Sequence, residues 1–477
     1  DGVALDEYTN LHISPSWELK NEKWRERLYS LSMASEFQAK NGHPLDKTLF
    51  NMRYAPSGHP EVRIQAINQY MDIMRSGPMA IENTVYQKAK EVFGKNTFAG
   101  VHDTHHNALT GDEFWVTGLN WWSIPREYGQ TDEHTPTPTQ MGIAMANPMN
   151  AMYNMYYNKS IDNIVEKALG DLRWGIRTHY HAVNDVQGWG VSVDKLDALK
   201  KINPVENCAR MMNRFNPALP EIKLLVIFGM EALSNWFPDD SARGPYDYNE
   251  KLGIEDKAFT LWKAGYLNAL VPSDLIVSKK LVIGEDGKPV MNGHKFDAIV
   301  YLYPQYSRDP VIKFLETYVS KGGKLMVEGN ASYDFYGKDI STRYEKIFRN
   351  AIHGFSVKGI SQLGVKQNII EGGCKNEDGS YTFTDLESLF RDKPATFKID
   401  IDGDKYEGNY KGITLLKTNK KSGVTKLSST GLQELRKNGI PLLSFEKPTG
   451  LFFSKSKVSS IIISDSTKTI KPWINRL

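Results

Sequence analysis

The sequence is short of cysteine, of like-charge clusters and of long apolar runs, and each shortage narrows what the chain can do. Only two cysteines occur in 477 residues, Cys208 and Cys374, far apart and in different expected domains. They form no clustered thiolate set for zinc; they fit either one disulfide or two buried thiols, and buried thiols are the expectation. The net charge is +3, and basic residues are scattered apart from short pairs such as Lys420-Lys421. That gives nucleic acid no basic surface to grip. No stretch reaches the roughly 18 apolar residues of a membrane-spanning helix. GxGxxG, P-loop and HExxH motifs, internal repeats and low-complexity tracts are also missing. The sequence begins at Asp1 without methionine or signal peptide, as a mature, processed or truncated product would. A processed product would be secreted or periplasmic.

Hydrophobic residues make up 40% of the chain and charged residues 24%, enough apolar material for a soluble protein of roughly two to four domains. Aromatics are plentiful, with 23 Tyr and 10 Trp. They suit stacking on flat ligands such as sugars as well as packing of large cores.

Through residue 190, short apolar runs alternate with long helical stretches. The runs are GVALDEY (2–8), TLFNMRY (48–54), TFAGVHD (97–103), the segment around Leu119 to Ile124, and WGIRTHYHAV (174–183). Helices are expected over 18–40, 60–94 and 141–169; Val62, Ile64, Ile67, Tyr70, Met71 and Met74 repeat mostly at three- and four-residue spacing. Most strand runs end in side chains with chemistry: Asp6 and Glu7; Arg53 and Tyr54; His102, Asp103, His105 and His106; His179 and His181. Function gathered at strand C-termini is the habit of a (β/α)8 TIM-type barrel. These runs are too few for a closed barrel, so the chain is expected to carry only its C-terminal half.

The pattern then changes. IKLLVIFGM (222–230), VPSDLIV (271–277), FDAIVYLYP (296–304) and KLMVEGN (324–330) read as buried strands, with helices at 257–270 and 311–323. This is a small doubly wound, flavodoxin-like α/β domain. From about 351 onward, short alternating segments separated by Gly, Asn, Asp and Lys predict a β-sandwich. The expected boundaries are 1–205 for the barrel portion, 206–350 for the α/β domain and 351–477 for the sandwich.

Glycoside hydrolysis needs one carboxylic acid to protonate the leaving oxygen and a second carboxylate across the cleft. GVALDEY offers Glu7, with Asp6 as its alternative. The stretch LNWWSIPREYGQTDEHT (119–135) offers Glu127, Asp132 and Glu133, with Trp121 and Trp122 as a sugar platform. HDTHH (102–106) and HYH (179–181) present a rival: imidazoles and a carboxylate also suit Zn²⁺. Neutral histidines equally hydrogen-bond sugar hydroxyls. His179, His181, Asn184 and Trp189 of RTHYHAVNDVQGWG are pocket candidates on either reading.

The succession of barrel portion, α/β domain and β-rich domain resembles the glycoside hydrolase family 42 β-galactosidases and their relatives. The most specific part is LVIFGMEAL, LNALVPSDLI, FDAIVYLYPQY and LETYVSKGGKLMVEGN, which looks like that family's trimerisation domain. The resemblance implies a retaining enzyme acting on a β-linked glycoside, without cofactor or metal, assembled as a homotrimer. It makes Glu7, after the fourth barrel strand, the acid/base, although the family has Asn where Asp6 stands. By strand order it makes Glu133 the nucleophile after the seventh strand, with Glu127 and Asp132 behind it. Arg53, Tyr54, His102, Asp103, His105, His106, Trp121, Trp122, His179, His181, Asn184 and Trp189 would contact sugar. The rival readings are a metal-dependent barrel hydrolase and a catalytically inactive glycan-binding protein.

Overall fold

In the computed structural model the described residues are 2–6, 29–102, 128–132, 135–147, 152–156, 160–176, 178–181, 196–235, 252–455 and 460–463. They fall into two compact units, one formed by residues 1–152 and 222–366, the other by 153–221 and 367–477.

The first unit opens with strand β1 (Gly2–Asp6) and three helices, α1 (Leu31–Asn41), α2 (Leu45–Tyr54) and α3 (Pro60–Phe93). Ser30 starts α1 by accepting the Met33 N–H at 3.1 Å, and Gly42 ends it at φ 76°, a left-handed cap that favours glycine. TLFNMRY, expected as a strand, lies in α2. Its buried residues Leu45, Thr48 and Met52 recur every three or four positions, so one helical face meets the core.

Helix α3 begins with Pro60 and Glu61, buries Ile64, Ile67 and Tyr70 on one stripe, and ends at Gly94. It packs on β1 and on β2 (Phe98–His102). β2 runs parallel to β1, pairing Asp6 with His102, and β3 (Tyr128–Asp132) runs parallel to β2, pairing Gln130 with His102. Helix α4 (Thr137–Ala146) is almost wholly buried, with Met141, Ile143, Ala144 and Met145 at 0–1% exposure.

The α/β part of this unit is built on β6 (Leu224–Phe228), β7 (Asn268–Pro272), β8 (Ala298–Leu302), β9 (Leu325–Glu328) and β10 (Ile352–His353). Helices α7 (Ile254–Lys263), α8 (Asp309–Ser320) and α9 (Ser341–Phe348) connect them. The strands are all parallel, in the order β10-β9-β8-β6-β7. Counted by sequence this is 2-1-3-4-5, the flavodoxin-like order expected. Every residue of β6, β7 and β8 is buried, which explains their unbroken apolar runs.

The second unit takes in strand β4 (Met152–Tyr156), apart from Met152, and β5 (Thr178–His181), which pair in parallel. Residues 141–169 were expected as one helix; instead α4 ends at Ala146, β4 follows, and α5 spans Ile161–Arg173. With β1 to β5 the chain is α/β and carries the strands of a half-barrel. Helix α6 (Leu196–Phe215) packs on α5 through Ile164, Ala168, Leu172, Val205, Cys208 and Met212.

The remainder of this unit is antiparallel: β11 (Gly373–Lys375), β12 (Tyr381–Asp385), β13 (Ala395–Ile401), β14 (Asp404–Tyr410), β15 (Gly412–Asn419), β16 (Gly423–Lys437), β17 (Ile440–Ser454) and β18 (Ser460–Ile463). A β-sandwich was expected, and these strands form one continuous sheet, ordered β11-β12-β15-β16-β14-β13, with β17 paired to β16 and β18 to β17. Bulges along β16 bend it, and the sheet curls over its own core. Phe383 of β12 and Phe397 of β13, with three strands between them in that order, stack with ring centroids 4.0 Å apart.

Candidate active-site edge and the closed switch point

Among the described residues, Asp6, His102 and Asp132 stand at the C-terminal ends of parallel strands. β1 ends on Asp6, β2 on His102 and β3 on Asp132; Asp6, His102 and Gln130 are successive register partners. Glu7 and Glu133 therefore follow the ends of strands two apart in the sheet. His179 and His181 lie in β5, where they pair with Asn154 and Tyr156 of β4. Glu7, Asp103, His105, His106, Trp121, Trp122, Glu127, Glu133, Asn184 and Trp189 lie outside the described residues.

Two sequence expectations change. Arg53 and Tyr54 do not end a strand: they close helix α2 and are exposed, with the Tyr54 ring tilted against Phe50 at a centroid distance of 5.1 Å. The order argument for Glu133 also shifts. Counting β1 as the fourth barrel strand, β3 takes the sixth place and β4 the seventh, because TLFNMRY is helix and MYNMY is strand. The residues after β4, Tyr157-Asn158-Lys159, include no carboxylate.

In the flavodoxin-like order, ligands enter where the strand order reverses, outside the C-terminal ends of β6 and β8. Here that crevice is filled. A Cβ on Gly229 would meet the Tyr303 carbonyl oxygen at 2.0 Å, so the two chains touch backbone to backbone. Behind them Arg308, after β8, donates from Nε to Glu231 Oε1 at 2.6 Å and from Nη1 to Asp72 Oδ2 of α3 at 3.1 Å. A second Nη bond to Asp72 completes a fork, and Phe335 lies 4.1 Å from the guanidinium carbon. Burial works against this cation, but Glu231, Asp72 and Asp274 outweigh it and hold its pKa above the ordinary arginine range. The crevice thus holds a side chain of this chain's own helix, in keeping with the missing nucleotide motifs.

No protein-family profile and no curated protein matches the chain. Among solved structures, it is similar to a family 42 exo-carrageenase from Bacteroides ovatus (12% identity, TM-score 0.48, 88% of this chain and 64% of that one). It is also similar to a rhamnosidase from Novosphingobium sp. PP1Y (10% identity, TM-score 0.44, 91% and 43%). A third similar structure is a β-galactosidase from the haloarchaeon Halorubrum lacusprofundi (11% identity, TM-score 0.45, 89% and 63%). The chain spans less than two thirds of the length of each. Among the described residues no helix is long and apolar enough to cross a membrane. These three structures are of glycosidases.

Proposed function

We propose that the chain is a retaining glycoside hydrolase acting on a β-linked, β-galactosidase-like substrate. The observation that carries this reading is the paired edge of β1, β2 and β3, after which Glu7 and Glu133 follow. A retaining pair needs its carboxyls about 5–5.5 Å apart. Glu7 protonates the glycosidic oxygen as the leaving group departs, while Glu133 attacks the anomeric carbon. Water deprotonated by Glu7 then displaces Glu133 from the glycosyl-enzyme. Asp6, Glu127 and Asp132 are the alternative carboxylates, and the histidines and tryptophans of the edge orient the sugar. The assembly is a homotrimer through the α/β domain.

Aryl β-glycosides test this directly. Glu7→Gln and Glu133→Gln are expected to lower kcat/KM by about 10²–10⁴-fold, with the anomeric configuration of the first product retained by NMR. If both variants keep full rate, or the product is inverted, the assignment is wrong.

One observation favours a second reading, a glycan-binding protein without catalysis. The seventh strand place belongs to β4, and no carboxylate follows it within residues 157–159. Saccharide binding without turnover by the wild-type chain would select that reading.

A further inference from the structure

A cavity of about 400 Å³ lies in the first unit, between the turn that leads into α3 and the loops that follow β8 and β9. Its walls include Ser57, Ile64, Asn235, Tyr306 and Tyr333. No residue of the expected catalytic set lines it, and its volume falls within the roughly 300–1,000 Å³ of small-ligand sites.

The walls are held from several directions. The Tyr306 N–H donates to the Tyr333 carbonyl at 2.9 Å, joining the two loops. Gln305 Oε1 accepts from the backbone of Ser332 and, at 3.2 Å, of Tyr333. The loop after β9 is pressed onto α3, where a Cβ on Gly337 would lie 2.4 Å from Glu61 Cα. Tyr306 sits at φ 65°, a left-handed backbone that a tyrosine adopts only when its surroundings impose it. A site so fixed loses little freedom on binding.

Asn235 supplies the fixed polar group. Its Nδ2 donates twice, to Asn68 Oδ1 at 2.6 Å and to the Glu231 carbonyl at 2.9 Å. Asn68 is turned in its place by donating from its own Nδ2 to the Phe335 carbonyl at 2.8 Å. Both Asn235 N–H groups are thereby spent within the protein, and what this amide has left for a ligand is the acceptor Oδ1.

The ionisable side chains of the wall are engaged elsewhere. His59 Nδ1 and Glu61 Oε1 lie 2.8 Å apart, and Arg63 donates from Nη2 to the Arg53 carbonyl at 3.4 Å. Among the described lining residues there is no carboxylate. Burial pushes the Tyr306 phenol up, so it stays protonated and uncharged. The groups that remain are the Asn235 acceptor, the hydroxyls of Ser57, Tyr306 and Tyr333, and two ring faces beside Ile64. Such a set suits an uncharged molecule that gives a hydroxyl hydrogen to the amide and C–H surface to the rings.

We propose that this cavity binds an uncharged pyranose unit, one hydroxyl donating to Asn235 Oδ1 and the C–H face meeting Tyr306 and Tyr333. The choice of a sugar rests on the glycoside reading above; the choice of an uncharged one rests on the wall itself.

Ligand-observed NMR titration of the full chain with galactose, galacturonate and cyclohexanol tests it. Galactose is expected to bind, galacturonate to bind no more tightly, and cyclohexanol, with its single hydroxyl, about tenfold more weakly. Asn235→Ala is expected to weaken galactose about tenfold, and Tyr333→Leu to weaken it as well. Circular dichroism checks that each variant folds; if Asn235→Ala does not, Tyr333→Leu decides. Tighter binding of galacturonate would overturn the uncharged ligand, and cyclohexanol binding as well as galactose would overturn the sugar. No galactose binding, or binding indifferent to the folded variants, would overturn the site. A chain that binds galactose in this way but cleaves no aryl glycoside refutes only the hydrolysis. A chain that cleaves aryl glycosides while its galactose binding ignores the variants refutes only the cavity.

Discussion

Arg308 is bound by two carboxylates, and what it holds together lies far apart in sequence. Asp72 is 236 residues away and Glu231 is 77. Removing one member of such a cluster strands the others, because a buried charge without its counter-ion costs more than the pair contributes. Arg308→Met is expected to lower unfolding stability by about 3–5 kcal/mol in denaturant titration, with a smaller loss for Asp72→Asn. A change under about 1 kcal/mol would show that the cluster is solvated in practice. None of these residues stood out in the sequence, since each looks like an ordinary surface charge until the fold brings it to a shared point. By contrast Asp6 and His102 could be placed at strand ends from the residues alone, because an apolar run stopping at a polar residue is a local signal, whereas Asp132 was expected in a loop and ends the polar strand YGQTD.

At the scale of elements, reading went well where burial leaves one interpretation and failed where a short segment fits two. β6, β8, β9 and helices α3 and α8 were legible, their apolar residues forming a continuous run or a helical stripe. TLFNMRY has few β-branched residues and buries only one face, so the helix wins. MYNMY is bounded by residues that suit a helix, and the sheet decides it instead. The domain was legible as β structure, with β13, the β14–β15 pair, the end of β17 and β18 read from the residues, but the joining of the strands into one curled sheet depends on the long β16 and β17, which no local turn signal announces. Helix α4 carries a test of its own. Gly142 in mid-helix would ordinarily gain about 1 kcal/mol on replacement by alanine. Here the new Cβ would lie 1.9 Å from the Leu270 carbonyl oxygen of β7. Gly142→Ala is therefore expected to destabilise by about 1–3 kcal/mol in a thermal or urea melt, the opposite sign to the propensity scale.

For the whole molecule, the proposed trimer is checked by light scattering, where three times the 54.0 kDa chain mass is expected. A monomer at micromolar concentration would remove the assembly from the proposal and leave the hydrolysis untouched. The Arg308 cluster has a consequence at this scale too. A free anion entering the crevice beyond β6 and β8 would surrender translational and rotational freedom on each visit. The Asp72 carboxylate is delivered there by α3 of the same chain, so its concentration at Arg308 is fixed by the covalent tether and never by the solution. The α/β domain is thus a receptor permanently loaded with an internal ligand, and dilution or dialysis cannot empty it.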